Sequence, residues 1–141
     1  MERLEAQRDL RPTAFTEILR RLWRGSEGVS AAVFVDYDGE SVDYCSSIDP
    51  YEAKVAAATF LPIMRECITI CEHLALGTGT FLTVRCDQKE FFVQRISGNY
   101  VLVVVAVRPV SDASLRKAME VTAVQLRAEA DMSVPDWQRP I

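Results

Sequence analysis

The sequence has 141 residues, of which 49% are hydrophobic and 26% charged, and its formal net charge is −4. This length and balance suit one domain with a real core. The acidic balance argues against a nucleic-acid-binding surface, which needs excess Lys and Arg on one face. No apolar run approaches the ~20 residues of a membrane span, and the charged N-terminus is unlike a secretion signal. We therefore expect a cytoplasmic protein without a membrane span or a nucleic-acid partner.

The chain begins with a charged segment that leads into an amphipathic helix. Residues 1–12 are mostly charged and end at Pro12, which predicts a flexible N-terminal extension, either a frayed helix or disordered. From residue 13 to residue 24 apolar residues recur at helical spacing, and Gly25 supplies a stop. The apolar stripe of this first helix comprises Phe15, Ile18, Leu19, Leu22 and Trp23.

Two runs of strand length follow the first helix. Residues 29–36 are almost continuously apolar, which suits a strand covered on both faces. Residues 41–46 alternate, which suits an edge strand. The Asp38-Gly39 pair between the two runs predicts a hairpin.

The longest helix signal lies between Asp49 and Gly77, with Asp49 as N-cap and Pro50 at the first helical position. Its apolar arc covers about 180° of the helical wheel, wider than the ~100° that one packing surface needs. We therefore expect part of this arc to meet a second chain. Pro62 should kink the helix or restart it. The arc comprises Ala53, Ala56, Ala57, Phe60, Leu61, Ile63, Met64, Cys67, Ile68, Ile70, Cys71, Leu74 and Ala75.

Three more strands, a third helix and a tail complete the chain. The strands are predicted at residues 80–86, 91–96 and 100–107, and Arg108-Pro109 ends the last of them. Ser111-Asp112 caps the final helix, so the domain spans residues 13–128 and the C-terminal tail residues 129–141.

The tail contains three apolar side chains in a segment broken by proline, Val134, Trp137 and Ile141. Trp137 either lies on the protein's own surface near the third helix or serves as a docking residue for a partner. A disordered tail is the third alternative. Deletion of the tail distinguishes the three by its effects on stability and on binding.

The strand pattern predicts the sheet. The two most apolar strands, 29–36 and 100–107, should lie side by side in the centre, because only central strands need apolar residues on both faces. Adding their hairpin partners outward gives the order 2-1-5-4-3 with all neighbours antiparallel. Both faces then need helical cover, helix 2 on one and helices 1 and 3 on the other. The predicted fold is a three-layer α/β/α sandwich with strands 2 and 3 as open edges.

No catalytic or metal-binding pattern is evident in the sequence. The four cysteines, Cys45, Cys67, Cys71 and Cys86, read as reduced thiols. Cys67 and Cys71 could hold two ligands of a thiolate metal site, but no C-x-x-C pair completes a tetrahedral set, and small buried hydrophobes are the favoured interpretation. The only histidine lies on the polar helix face, so no nucleophile and base can be assembled around it. We expect neither an enzyme nor a cofactor.

Three segments together resemble the Roadblock family (dynein light chain Roadblock type). They are residues 28–39, the start of the long helix with Asp49, Glu52 and Ala53, and residues 98–105. The resemblance covers residues 13–128 and implies a profilin-like fold and a homodimer in which strand 3 pairs across a two-fold axis and the second helices lie together. It also implies binding to small Ras-like GTPases, as a platform or, in bacterial motility and polarity systems of the MglB type, as an activator of an MglA-like GTPase.

The resemblance and the broad helix arc lead to one principal expectation, a dimeric interaction module for a small Ras-like GTPase or for another Roadblock protein. The assembly is a homodimer or a hetero-oligomer. The partner is expected on the exposed arc of the second helix, at Lys54, Arg65, Glu66, Thr69, Glu72 and His73. The dimer interface is expected to include Phe60, Met64, Cys67, Cys71, Phe81, Leu82, Thr83 and Val84.

Two other functions remain as alternatives. One is activation of an MglA-like GTPase by ordering the GTPase's own machinery, without an arginine finger; Arg65 could be such a finger, but a solvated surface arginine is the simpler interpretation. The other is a small-molecule sensor with a pocket between helix and sheet, for which the sequence shows no polar constellation. GTP turnover and ligand-induced shifts in melting temperature distinguish these alternatives.

Overall fold

A computed structural model of the chain describes residues 4–107, 110, 112–132, 135 and 137. The predicted strand end at Arg108-Pro109, the Ser111 part of the helix cap, and Val134 and Ile141 of the tail lie outside these residues. The elements are α1 (Thr16–Gly25), β1 (Val29–Asp36), β2 (Ser41–Ser46), α2 (Pro50–His73), β3 (Phe81–Arg85), β4 (Lys89–Ser97), β5 (Tyr100–Val107) and α3 (Asp112–Glu129).

The five strands form one antiparallel sheet in the order β2-β1-β5-β4-β3, as predicted. Residues 29–35 of β1 and residues 101–106 of β5 are all buried, because these central strands are covered on both faces. One core lies between the sheet and α1 with α3, and the other lies between the sheet and α2. The predicted three-layer α/β/α sandwich is confirmed.

The β1–β2 hairpin turns at the predicted Asp38-Gly39 pair. Gly39 has φ +90°, a left-handed conformation that favours glycine. The Asp36 side chain accepts hydrogen bonds from the backbone N–H groups of Asp38 and Glu40, at 2.9 and 3.0 Å. The turn therefore satisfies its own backbone donors and fixes the register of β2.

Helix α2 begins as predicted and runs without a break to His73. The Asp49 side chain accepts a hydrogen bond from the Tyr51 backbone N–H at 2.8 Å, and Pro50 occupies the first helical position. The predicted restart at Pro62 does not occur: Pro62 lies inside α2, and the helix continues through it. Five residues of the predicted arc are buried against the sheet, Ala53, Ala57, Leu61, Met64 and Ile68.

The C-terminus of α2 has a Schellman arrangement that the helical wheel did not predict. Leu76 N–H donates to Cys71 O at 2.9 Å and Ala75 N–H donates to Glu72 O at 3.1 Å. Ala75 has φ +55°, where glycine is usual. The predicted apolar arc is therefore too long, because the helix ends before Ala75 and Leu74 is 63% exposed.

The N-terminal segment, residues 4–13, lies along the outer edge of β2. Ala6 N–H donates to Ser46 O at 2.7 Å. The Tyr44 hydroxyl donates to Asp9 at 2.6 Å, and Lys54 Nζ pairs with the same carboxylate at 2.7 Å. The described part of this segment therefore covers part of the β2 edge, which is not open as predicted, whereas the flexibility predicted for residues 1–12 stays a prediction.

A buried carboxylate anchors this N-terminal segment. Asp43 is fully buried and accepts hydrogen bonds from the Arg8 guanidinium and the Thr13 and Thr16 hydroxyls. Burial raises the pKa of Asp43, but the hydrogen bonds from these three side chains and from the Tyr44 backbone N–H together outweigh burial and hold its pKa below the usual value. The two threonine contacts tie the start of α1 to β2.

The left-handed Ala75 leads to a stability prediction. Replacing Ala75 with Gly should raise the free energy of unfolding by about 1 kcal/mol, because the strain of the left-handed conformation is relieved. Ala58→Gly, at an exposed position inside α2, should lower the free energy of unfolding by about 1 kcal/mol. Urea unfolding at equal protein concentration measures both. A loss of stability in Ala75→Gly would contradict the assigned helix end.

The buried Asp43 predicts a pH dependence. Because its pKa is lower in the folded state, its stabilisation is present above the unfolded-state pKa of about 4 and is lost as the pH falls through the folded-state pKa. Asp43→Asn should cost about 3 kcal/mol at pH 7 and flatten the decline of stability below about pH 4. Urea unfolding between pH 7 and pH 2 tests this, with the exposed Asp87→Asn as control. An unchanged pH profile would refute the anchoring role.

Candidate partner-binding surface

Helix α2 has two exposed flanks that differ in chemistry. Gly79, which leads into β3, approaches the Ile68 backbone and the Cys71 sulfur on one side of the helix. Gly39, in the β1–β2 turn, approaches Ala58 on the other side. One flank therefore faces the β3 edge of the sheet and the other faces the β2 edge.

The flank toward β3 is apolar. Ile63, Ile70 and Leu74 are 43%, 45% and 63% exposed, and Cys67 beside them is half-buried. We call these four residues the α2 apolar flank. Phe60 marks its inner border, where its ring stacks on Phe91 of β4 with centroids 4.2 Å apart. The sheet thus uses only part of the predicted arc, and the rest remains accessible to a second molecule.

The flank toward β2 contains two of the predicted partner-binding residues, and both make intramolecular contacts. Lys54 pairs with Asp9 and its Nζ lies 5.1 Å from the centroid of the Tyr44 ring. The Arg65 guanidinium lies 5.3 Å from the centroid of the Tyr37 ring. Lys54 therefore contacts the N-terminal segment, and Arg65 contacts the β1–β2 hairpin.

The other predicted partner-binding residues lie on the outer surface of α2. Glu66, Thr69, Glu72 and His73 are all exposed. The Thr69 hydroxyl donates to the Arg65 carbonyl at 3.1 Å, so it is satisfied within the helix. Glu66 and Glu72 are the two carboxylates among these four residues, and both are accessible to a partner.

The residues predicted for the dimer interface separate into three groups. Met64 is 1% exposed and packs into the core under α2, so it offers no surface to a second chain and its assignment is wrong. Phe60, Cys67 and Cys71 are half-buried along the α2 apolar flank. The β3 residues are half-buried or exposed at the sheet edge: Phe81, Leu82, Thr83 and Val84.

Strand β3 presents unpaired backbone groups. Within the part of the chain that the structure describes, β3 pairs only with β4. Arg95 N–H donates to Thr80 O and Cys86 N–H donates to Lys89 O, both at 2.9 Å. Because antiparallel hydrogen bonding alternates along a strand, the N–H groups of Phe81, Thr83 and Arg85 point away from β4. These outward N–H groups form a template for an added strand.

The cysteines differ in accessibility. Burial raises the pKa of Cys45 to about 12, which keeps this thiol protonated and inert. Cys67 belongs to the α2 apolar flank, Cys71 is half-buried beside it, and Cys86 is exposed directly after β3. Among the residues with described positions, no three His, Cys, Asp or Glu side chains are grouped closely enough to hold a metal ion.

The described helices include none that is both long and apolar enough to cross a membrane.

The tail residue Trp137 is half-buried, and the Arg95 guanidinium lies 4.4 Å from the centroid of its ring. This contact favours the interpretation in which Trp137 packs on its own domain. The sequence could not predict this pair, since Arg95 and Trp137 meet only through the fold.

Comparison with known proteins gives structural relatives only: no family model and no curated protein matches the sequence. A Roadblock/LC7 domain from Streptomyces avermitilis has a TM-score of 0.76 and 20% identity, covering 82% of this chain and 97% of its own. Myxococcus xanthus MglB has a TM-score of 0.76 and 12% identity, covering 84% and 96%. Myxococcus xanthus MglC has a TM-score of 0.61 and 26% identity, covering 83% and 99%.

These relatives align over nearly their whole length and over more than four fifths of this chain. The order of elements and the sheet topology agree with the family that the sequence resembles. The chain therefore has the Roadblock/LC7 fold shared by MglB and MglC.

Proposed function

We propose that the protein is a non-enzymatic, dimeric interaction module that binds a small Ras-like GTPase or another Roadblock protein. The observation that carries this proposal is the α2 apolar flank beside the open edge of β3. Two kinds of surface that usually require cover, exposed aliphatic side chains and unpaired strand N–H groups, lie next to each other. A second copy related by a two-fold axis would cover both at once.

The structural relatives support an assembly of this kind. One MglB structure with the same fold has a tetrameric arrangement, and MglC shares the fold as well. A module of this type acts in GTPase-based regulation of polarity or motility through protein contacts alone. The paired α2 helices then present Glu66, Thr69, Glu72 and His73 on their outer surface to the GTPase, with Lys54 and Arg65 at its border.

Activation of an MglA-like GTPase is the second candidate function, and the position of Arg65 favours a mechanism without an arginine finger. Its guanidinium is held over Tyr37 on the half-buried side of α2. A finger has to extend into the nucleotide site of the GTPase, whereas this arginine is held against its own domain. Any acceleration would come from ordering of the GTPase's own groups.

The dimer can be tested with one matched pair of variants. Multi-angle light scattering at micromolar concentration should give about 32 kDa, twice the 15.8 kDa chain. Ile70→Arg should give a monomer with little change in melting temperature, because Ile70 is 45% exposed. Val124→Arg, on the outer surface of α3 at 58% exposure, should remain a dimer. A mass of about 16 kDa for the unmodified chain would contradict the proposal.

Binding to a GTPase can be tested with the small Ras-like GTPases of the same organism, each loaded with GDP or a non-hydrolysable GTP analogue. One of them should bind in a nucleotide-dependent manner by calorimetry. Reversing two exposed charges, Glu66→Lys with Glu72→Lys, should weaken binding by about tenfold or more. Glu129→Lys on α3 should not.

A GTP turnover assay on the GTPase that binds separates regulation from scaffolding. Faster GTP turnover with added protein, retained in Arg65→Ala, identifies activation without a finger, whereas unchanged turnover identifies a scaffold. The proposed function fails if every GTPase tested remains unbound in both nucleotide states and the unmodified chain is also monomeric.

A further inference from the structure

A cavity of about 210 Å³ lies on the side of the sheet away from α2, between the β3 edge, the end of β4, α3 and the tail residue Trp137. It is separate from the α2 surfaces described above. Its chemically important lining residues are Phe81, Gln94, Arg95, Arg116, Glu120 and Trp137.

The cavity wall has two cations held by aromatic rings. The Arg95 guanidinium lies 4.4 Å from the centroid of the Trp137 ring, and the Arg116 guanidinium lies 4.3 Å from the centroid of the Phe81 ring. Stacking over a ring fixes the plane of a guanidinium and leaves its N–H edge free to donate. Glu120 supplies the only opposing charge among the lining residues described, so the wall is net positive.

Three buried polar atoms of the lining have no hydrogen-bond partner among the described residues: Trp137 Nε1, Arg95 Nε and Gln94 Oε1. Gln94 is only 6% exposed. Arg95 has one hydrogen bond elsewhere, from Nη1 to Gly79 O at 3.3 Å, and its Nε–H is the donor without a partner in the described part of the chain. A buried donor without an acceptor is costly, so such groups usually mark a bound water or ion. Two of the three are donors, and Gln94 can donate too if its amide is turned over.

We propose that this cavity binds a small oxyanion, a phosphate or carboxylate group. The anion would accept hydrogen bonds from Trp137 Nε1–H and Arg95 Nε–H, and the Arg116 guanidinium would provide a charge-assisted contact. Water alone would satisfy single donors but would leave the positive wall uncompensated. The cavity would be a small-molecule site in addition to the protein-binding surface. Anion binding there requires neither the GTPase nor the dimer. Its lining also provides the cluster of polar side chains that the sequence did not show for a small-molecule sensor.

The two tryptophans provide a direct measurement. In a ¹⁵N-labelled full-length chain, the Trp137 indole N–H reports on the cavity, and the Trp23 indole, which is buried under α1, serves as internal reference. Inorganic phosphate and sodium acetate are titrated separately at constant ionic strength, with sodium chloride as the matched salt. The Trp137 signal should shift saturably with at least one oxyanion, and the Trp23 signal should remain in place.

Two variants test the assignment of the cations. Arg116→Gln should weaken oxyanion binding by about tenfold or more, the usual effect of losing a charged hydrogen bond. Arg21→Gln, an exposed arginine on α1, should have no effect. Because Arg116 is exposed, its variant should keep the melting temperature of the unmodified chain. Calorimetry on Trp137→Phe, which keeps a ring but removes the N–H donor, gives a second test with an expected loss of affinity.

The titrations also distinguish the chemical source of the anion. Saturation by phosphate alone identifies a phosphate-bearing ligand, and saturation by acetate alone identifies a carboxylate. The proposal is overturned if neither oxyanion shifts the Trp137 signal, if chloride shifts it equally, or if Arg116→Gln and Trp137→Phe both bind like the unmodified chain.

Discussion

The structure depends on a sheet whose central strands are apolar on both faces. Such a sheet must be covered on both sides, and here the two sides are covered unequally: α1 and α3 share one face, whereas α2 alone covers the other. A single helix cannot cover five strands. The uncovered remainder is the strip between the α2 apolar flank and β3, and this strip is where we place the protein's association surface.

Much of this architecture follows from local patterns in the sequence. The continuous apolar runs of β1 and β5 identify the central strands, and hairpin connections then leave one simple sheet order. Asp38-Gly39 and Asp49-Pro50 act over a few residues, which makes them predictable without knowledge of the fold. Strand β4 begins at Lys89, two residues before its apolar run, because pairing with β5 extends the ladder into polar residues that carry no pattern.

Most of the features that the sequence did not predict depend on side chains that are distant along the chain. Arg8 and Asp43 are 35 residues apart, and their pairing converts a charged N-terminal segment into cover for β2. Lys54 and Arg65 have the pattern of free surface cations until Tyr44 and Tyr37 are placed beneath them. A helical wheel shows which residues share a side of α2, but it does not show where the sheet ends below them. For that reason the wheel included Met64 in the dimer interface. The helix end at Ala75 was missed for a local reason, because an alanine takes the left-handed position that glycine usually marks in a sequence.

The strip between α2 and β3 is tested most directly at the outward amides of β3. Amide hydrogen exchange of Phe81, Thr83 and Arg85 can be measured in the unmodified chain and in the Ile70→Arg variant, at the same micromolar concentration. If β3 pairs across a two-fold axis, these three amides exchange slowly in the unmodified chain and rapidly in the variant, while amides of β5 stay protected in both. Rapid exchange of the three amides in the unmodified chain would contradict the central claim.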